Sequence, residues 1–176
     1  MSPPCLRRSF LAVSLLFALL VTGHAATLIP RGVPWNYFKG TTEPSNPIGA
    51  WRAVAFNDAS WSNGLAPFRY GDGTGGTLLA DMRGNYTTLY LRRAFNVSEA
   101  ALISRLNLVV NYDDGFMVWI NGNPVLSENA PGTPTHDSTA DTEHESGSFE
   151  TIELADPQSF LVDGENTIAI QVFNDD

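Results

Sequence analysis

Leu106-Asn-Leu-Val-Val-Asn-Tyr-Asp-Asp-Gly-Phe-Met-Val-Trp-Ile-Asn-Gly122 is the stretch that decides the fold class. It holds two short runs rich in aliphatic, β-branched and aromatic residues, 106–112 and 116–120, separated by Asp113-Asp114-Gly115. Gly115 is read as the residue that lets the chain turn back at positive φ. Asn121-Gly122 supplies the two positive φ angles of a type I′ turn, the strongest short-range hairpin signal. A return strand is therefore expected from Pro124-Val-Leu126.

The same grammar extends both ways. Upstream, Tyr86-Thr-Thr-Leu-Tyr-Leu-Arg-Arg-Ala-Phe95 alternates, with Leu89, Leu91 and Arg93 on one face and Tyr90 and Arg92 on the other. Downstream, Asn166-Thr-Ile-Ala-Ile-Gln-Val-Phe173 places Ile168, Ile170 and Val172 on one side, entered through a turn at Gly164-Glu-Asn166. Residues 148–154 form a further strand whose apolar period is irregular. Trp35 and Tyr37 belong to an N-terminal strand. Two helical turns are expected, one at 98–103 with Ser98 as N-cap, the other at 156–161 with Pro157 following an Asp cap. Many short strands punctuated by Gly, Pro, Asn and Asp specify an all-β protein, an antiparallel β-sandwich.

The chain opens differently. Arg7 and Arg8 precede an apolar run over 10–21, followed by the small residues Gly23, Ala25 and Ala26. This is the layout of a secretory signal peptide. Its length of twelve residues falls short of the about 20 needed to span a bilayer. Cleavage after Ala25 leaves one domain, 26–176, and a secreted or extracytoplasmic location at the cell surface or in the periplasm, with no membrane insertion. Cys5, the sole cysteine, departs with the leader. The core must then hold without disulfides, which about 150 residues can do.

Charge excludes some partners. The whole chain carries −9, and removing Arg7 and Arg8 leaves eight basic residues against nineteen acids, a net −11. Phosphate backbones attract Lys and Arg, so nucleic acid is not expected as a partner.

Nor does the sequence spell out catalysis. The mature chain keeps two histidines, His136 and His144, no thiol, and no Gly-x-Ser-x-Gly elbow. His136-Asp137-Ser138 is read as coincidence rather than a triad fragment. Both histidines lie in a loop of about 18 residues, 129–146, with Asp137, Asp141, Glu143 and Glu145. Their spacing matches neither an EF-hand nor a zinc site, so a solvated acidic loop is expected. Loops of that length are functional or disordered. A second polar, Pro-interrupted stretch spans 39–47.

Sugar sites pair an aromatic face with polar groups for hydroxyls. Phe68-Arg69-Tyr70-Gly-Asp72 offers an aromatic ring, a guanidinium and a carboxylate together, with Trp35 and Tyr37 as further rings. The competing assignment puts Trp35 in the core and lets Arg69 and Tyr70 merely order a Gly-rich loop. Asp113 and Asp114 either accept hydrogen bonds from turn amides or help to hold a cation or sugar hydroxyls. Asp58 before Ala59-Ser-Trp61 suits a capped turn over Trp61. The candidate ligand-binding residues are thus Arg69, Tyr70, Asp72, Trp35, Asp113 and Asp114, serving a non-catalytic carbohydrate-binding module. The rival assignment is a structural or interaction spacer. Exposed aromatics would favour the first and buried ones the second.

Several phrases in order carry a resemblance: Trp51-Arg52 with Phe56-Asn-Asp-Ala-Ser-Trp61, then Pro67-Phe-Arg-Tyr-Gly-Asp-Gly73, Tyr90-Leu-Arg-Arg-Ala-Phe95, Tyr112 through Gly122, and Gly164-Glu-Asn-Thr-Ile-Ala-Ile170. The succession resembles the galactose-binding-domain-like jelly rolls of large secreted bacterial proteins. It is more distantly similar to the sugar-binding domain of family 2 glycoside hydrolases. The resemblance implies a jelly-roll sandwich, a structural calcium whose place nothing in the sequence fixes, and other domains of the same polypeptide as partners. It also implies a further strand after 169–173, whose absence would leave 26–176 as a fragment of a longer chain with an unpaired edge.

Overall fold

The computed structural model describes residues 26–71 and 73–175. The leader reading and candidate Asp72 lie outside them. Ten strands are described: β1 Pro34–Lys39, β2 Ser62–Leu65, β3 Phe68–Arg69, β4 Thr77–Leu78, β5 Thr88–Val97, β6 Leu106–Val110, β7 Gly115–Ile120, β8 Asn123–Glu128, β9 Glu150–Leu154 and β10 Gly164–Phe173. Six make one antiparallel sheet in the order β2-β1-β5-β10-β7-β8, while β6 pairs antiparallel with β9 and β3 pairs parallel with β4. The protein is an all-β, antiparallel β-sandwich of jelly-roll type.

Alternation along the strands builds three apolar clusters. Phe95, Val97, Phe116, Val118, Ile120 and Ile168 point from the large sheet onto Leu106, Leu108, Val110, Ile152 and Leu154 of β6 and β9. On that same face, Leu89, Leu91, Trp35 and Tyr37 meet Phe68, Tyr70, Leu79, Met82 and Tyr86. The opposite face carries Phe38, Tyr90, Met117, Trp119 and Ala169, covered by Trp51, Phe56 and Trp61. Irregular chain, not strand, supplies that second cover.

The central hairpin forms as expected, with φ of 53° at Asn121 and 82° at Gly122. Asn166 secures the entry to β10: its side chain accepts from Val162 N and Asn121 Nδ2 and donates to Val162 O and Gly164 O.

Three expectations need correction. Gly115 is not needed for positive φ; a Cβ there would lie 2.3 Å from Asn129 O, so close backbone approach demands the glycine. Single 3-10 turns occur at Ala50–Arg52, Ala100–Leu102 and Pro157–Ser159, one more than expected. Neither Ser98 nor Asp156 caps with its side chain; Asp163 Oδ1 instead accepts from Ala100 N at 2.7 Å. β10 itself is interior, paired along β5 and β7. The edges of the large sheet are β2 and β8.

Candidate functional site

Where β5 begins and β10 ends, three irregular segments converge. The chain leaves β1 at Gly40, whose N donates to Thr88 O at 2.9 Å. A Cβ on Gly40 would lie 1.8 Å from Thr88 Oγ1, so only glycine permits this approach. A tight turn over 79–86 is stitched by Met82 N to Leu79 O and Asn85 N to Met82 O. Asn85 Nδ2 donates to Asp81 O at 2.8 Å and Arg83 O at 3.3 Å. The third segment is the long loop after β8. Its carbonyls accept from the sheet: Thr88 Oγ1 to His136 O at 2.6 Å, Thr87 Oγ1 to Ser138 O at 2.8 Å, and Gln171 Nε2 to Thr135 O at 2.9 Å.

Between them lies a cleft of about 320 Å³, lined by Thr41, Asn85, Tyr86, Thr87, His136 and Asp137 with Gly40 and Gly84. That volume is at the low end for small-molecule sites, about 300–1,000 Å³. His136 turns Nδ1 to Glu43 Oε1 at 3.1 Å, and the same oxygen accepts His136 N at 2.8 Å. Its Nε2, the Asn85 carbonyl oxygen and the Thr41 hydroxyl have no hydrogen bond among the described residues. Asp137 accepts from Thr135 Oγ1 at 2.5 Å, which holds its carboxyl below the usual range. Asp81 is lowered chiefly by its bond from Lys39 Nζ at 2.7 Å. Burial raises the Tyr86 phenol, which donates to Asp81 Oδ1 at 3.2 Å.

A second cleft, about 200 Å³, is lined by Pro34, Asn36, Asn63, Arg92, Arg93 and Ala94. Its groups largely satisfy one another: Asn63 Nδ2 donates to Asn36 Oδ1 at 2.9 Å, and Arg93 donates to Pro34 O. The first cleft is the one with recognition capacity to spare.

The residues singled out from sequence are dispersed. Arg69 Nε donates to Gly75 O at 2.9 Å and orders the Gly-rich loop. Tyr70 packs beside Leu79 and Met82, and its hydroxyl donates to Asn174 Oδ1 at 3.2 Å. Trp35 packs between two core clusters. Asp113 is exposed. Asp114 is buried, accepting His144 N at 3.0 Å and Asp175 N at 2.7 Å, so its partners are amides from remote segments rather than from its own turn.

Tyr70 and Asp114 therefore clamp the end of β10, and Asn174 N in turn donates to Thr87 O beside the cleft. Trp35 does not join them. Asn36 is level with Arg92 and Ala169, so Trp35 stands six residues up the sheet from Asn174, roughly 20 Å.

The cleft residues Thr41, Asn85 and Thr87 carry no sequence motif for binding. The usable signal was the length of the 129–146 loop and its histidine. The loop's ligand-type side chains separate instead of clustering. His136 faces Glu43, whereas His144 stacks on Tyr112 with centroids 4.1 Å apart and sets Nε2 3.3 Å from Glu150. No helix among the described residues is long and apolar enough to cross a membrane.

No family model and no curated protein matches the chain. Its fold, however, is similar to that of domains in solved β-glucuronidases. A β-glucuronidase from an uncultured Clostridium superposes over 90% of this chain and 24% of its own, at TM-score 0.54 and 18% identity. A calcium-binding mutant of Bacteroides uniformis β-glucuronidase 2 matches 84% of this chain and 14% of its own, at 0.52 and 20%. Ruminococcus gnavus β-glucuronidase matches 81% and 21%, at 0.52 and 14%. The likeness is one of fold, and the chain spans a quarter or less of each of these proteins.

Proposed function

We propose that this chain is a non-catalytic carbohydrate-binding accessory module of a secreted multidomain protein, with the Thr41–Asn85–His136–Asp137 cleft as its sugar site. The observation that carries the reading is the set of polar atoms around that cleft left without protein partners. A sugar hydroxyl both donates and accepts, and such a rim offers it an acceptor-only carboxylate, an amide oxygen, a hydroxyl and a ring nitrogen. The sandwich fold shared with glycosidases supports a sugar-related role, and the small share of those chains that it spans supports an accessory one. Glycoside hydrolysis needs two carboxylates flanking the scissile bond. Here Asp137 faces the cleft while Glu43 is engaged by His136.

The test is a glycan array followed by affinity gels, run with calcium and with chelator, on the mature chain and on Asn85→Ala and His136→Ala. Saturable binding that either substitution weakens about tenfold or more, with the fold intact by circular dichroism, supports the reading. A folded protein that binds no glycan overturns it. A spacer domain with no small-molecule ligand is the second reading, favoured by the packing of Trp35 and Tyr70 into the core.

A further inference from the structure

Resting on that assignment of the cleft, we infer that its ligand is an uncharged saccharide and that the site rejects uronates. A sugar carboxylate is held by Arg or Lys, most firmly by a bidentate guanidinium. None of the residues lining this cleft is Arg or Lys.

The charged groups around it come from each converging segment. The long loop brings His136 and Asp137, and the stretch after β1 brings Glu43 against His136. From the end of β1 comes Lys39, whose ammonium is tied to Asp81 at 2.7 Å and so neutralised where it stands. Arg83 belongs to the same turn as Asp81 but does not line the cleft. Two carboxylates, Glu43 and Asp137, thus stand against a single imidazole.

Hydrogen-bonding capacity points the same way. Asp137 is acceptor-only and Asn85 presents a carbonyl oxygen, because its amide nitrogen is spent on Asp81 O and Arg83 O. Such a rim asks for hydroxyl donors, which a neutral sugar supplies in pairs. A uronate replaces a hydroxymethyl donor with two acceptors and sets a like charge near Asp137. That combination is an element of exclusion, discriminating by what it repels.

The experiment is isothermal titration with matched probes: neutral oligosaccharides drawn from the array hits, and the same oligosaccharides oxidised at C6 to uronates. Wild type and Asp137→Asn are compared at low and high salt. Expected is a uronate affinity about tenfold or more below that of its neutral counterpart, a gap that narrows in Asp137→Asn and as salt screens the repulsion. Uronates bound as tightly as neutral sugars, or a ratio untouched by both changes, would overturn the inference while leaving carbohydrate binding intact. Binding of neither probe class overturns the binding assignment itself, and this inference with it.

Discussion

The two faces of the six-stranded sheet are covered by different material, and the difference decides what the sheet's own side chains must do. Under β6 and β9 the face is apolar: Phe116, Val118, Ile120 and Ile168 meet Leu106, Leu108 and Ile152. Strands satisfy one another's backbone, so those side chains need only fill space. The reverse face lies under irregular chain, and irregular chain has carbonyls with no ladder to join. There the sheet offers polar side chains from within its strands. Arg92, only 3% exposed, donates to the carbonyls of Trp51, Ala53 and Phe56 and to Asp58 Oδ2 at 2.8 Å. Thr88 and Gln171, also buried, hold carbonyls of the long loop. A coil-covered face thus trades part of its apolar area for anchors.

The sharpest way to break this comparison is to remove the anchor with the most partners. Arg92→Leu strands the carbonyls of Trp51 and Phe56 and the part-buried carboxylate of Asp58, leaves Ala53 O only Phe56 N at 3.1 Å, and is expected to cost about 3–5 kcal/mol. The strand-covered face gives the reference: Ile168→Ala removes apolar volume only, for about 2–5 kcal/mol according to how far the cavity collapses. Urea denaturation of both variants supplies the numbers. The signature that separates the faces is limited proteolysis. Arg92→Leu should expose residues 41–61 to cleavage while the sheet persists, whereas Ile168→Ala should loosen the molecule as a whole. If residues 41–61 stay protected in Arg92→Leu, the anchor account is wrong.

A smaller effect is expected one layer down. Gln171 Nε2 donates to Tyr90 OH at 3.2 Å and to Thr135 O. Gln171→Leu keeps the side-chain volume and removes both bonds, leaving Thr135 O only the longer bond from Ser138 N at 3.3 Å, for about 1–3 kcal/mol. Hydrogen exchange should show the loss at residues 129–147 and spare β6 and β9. An equal loss of protection in both layers would mean that the loop is held mainly by its other contacts.

The same contrast explains what the sequence disclosed. Strand-covered residues announce themselves by period: Leu89 and Leu91, or Ile168, Ile170 and Val172, alternate cleanly, and the Asn121-Gly122 turn follows from backbone preference alone. The reverse face gives no such pattern, because its cover spans 41–61 and 129–147 and its anchors are isolated polar residues. Asp58 illustrates the limit. Reading it as a local cap was reasonable, yet Asn57 Oδ1 takes that part by accepting from Ala59 N, and Asp58 pairs with Arg92 instead. The candidate site shows the same limit. Arg69, Tyr70 and Asp72 are adjacent in sequence, whereas the cleft gathers Thr41, Asn85 and His136 from three distant segments. Only the long loop, by its length, pointed toward it.

The finest test lies in a second arginine on that reverse face. Arg52 stacks its guanidinium 3.9 Å from the Trp119 ring centroid and 5.6 Å from that of Trp51. Unlike Arg92 it anchors no carbonyl among the described residues: its Nε is buried with no hydrogen-bond partner among them, and burial holds its pKa below the usual value. Stacking on an indole contributes about 0.5–2 kcal/mol, but an unpaired buried N–H costs about 1–3. The two nearly cancel. Arg52→Met keeps a flexible apolar stem over the indole and removes the unpaired donor, so its denaturation midpoint should lie within about 1 kcal/mol of wild type, on either side. The two arginines are neighbours on one coil-covered face and differ chiefly in whether they satisfy backbone. A loss at Arg52 approaching that at Arg92 would mean that charge or aromatic stacking, rather than satisfied carbonyls, holds this layer to the sheet.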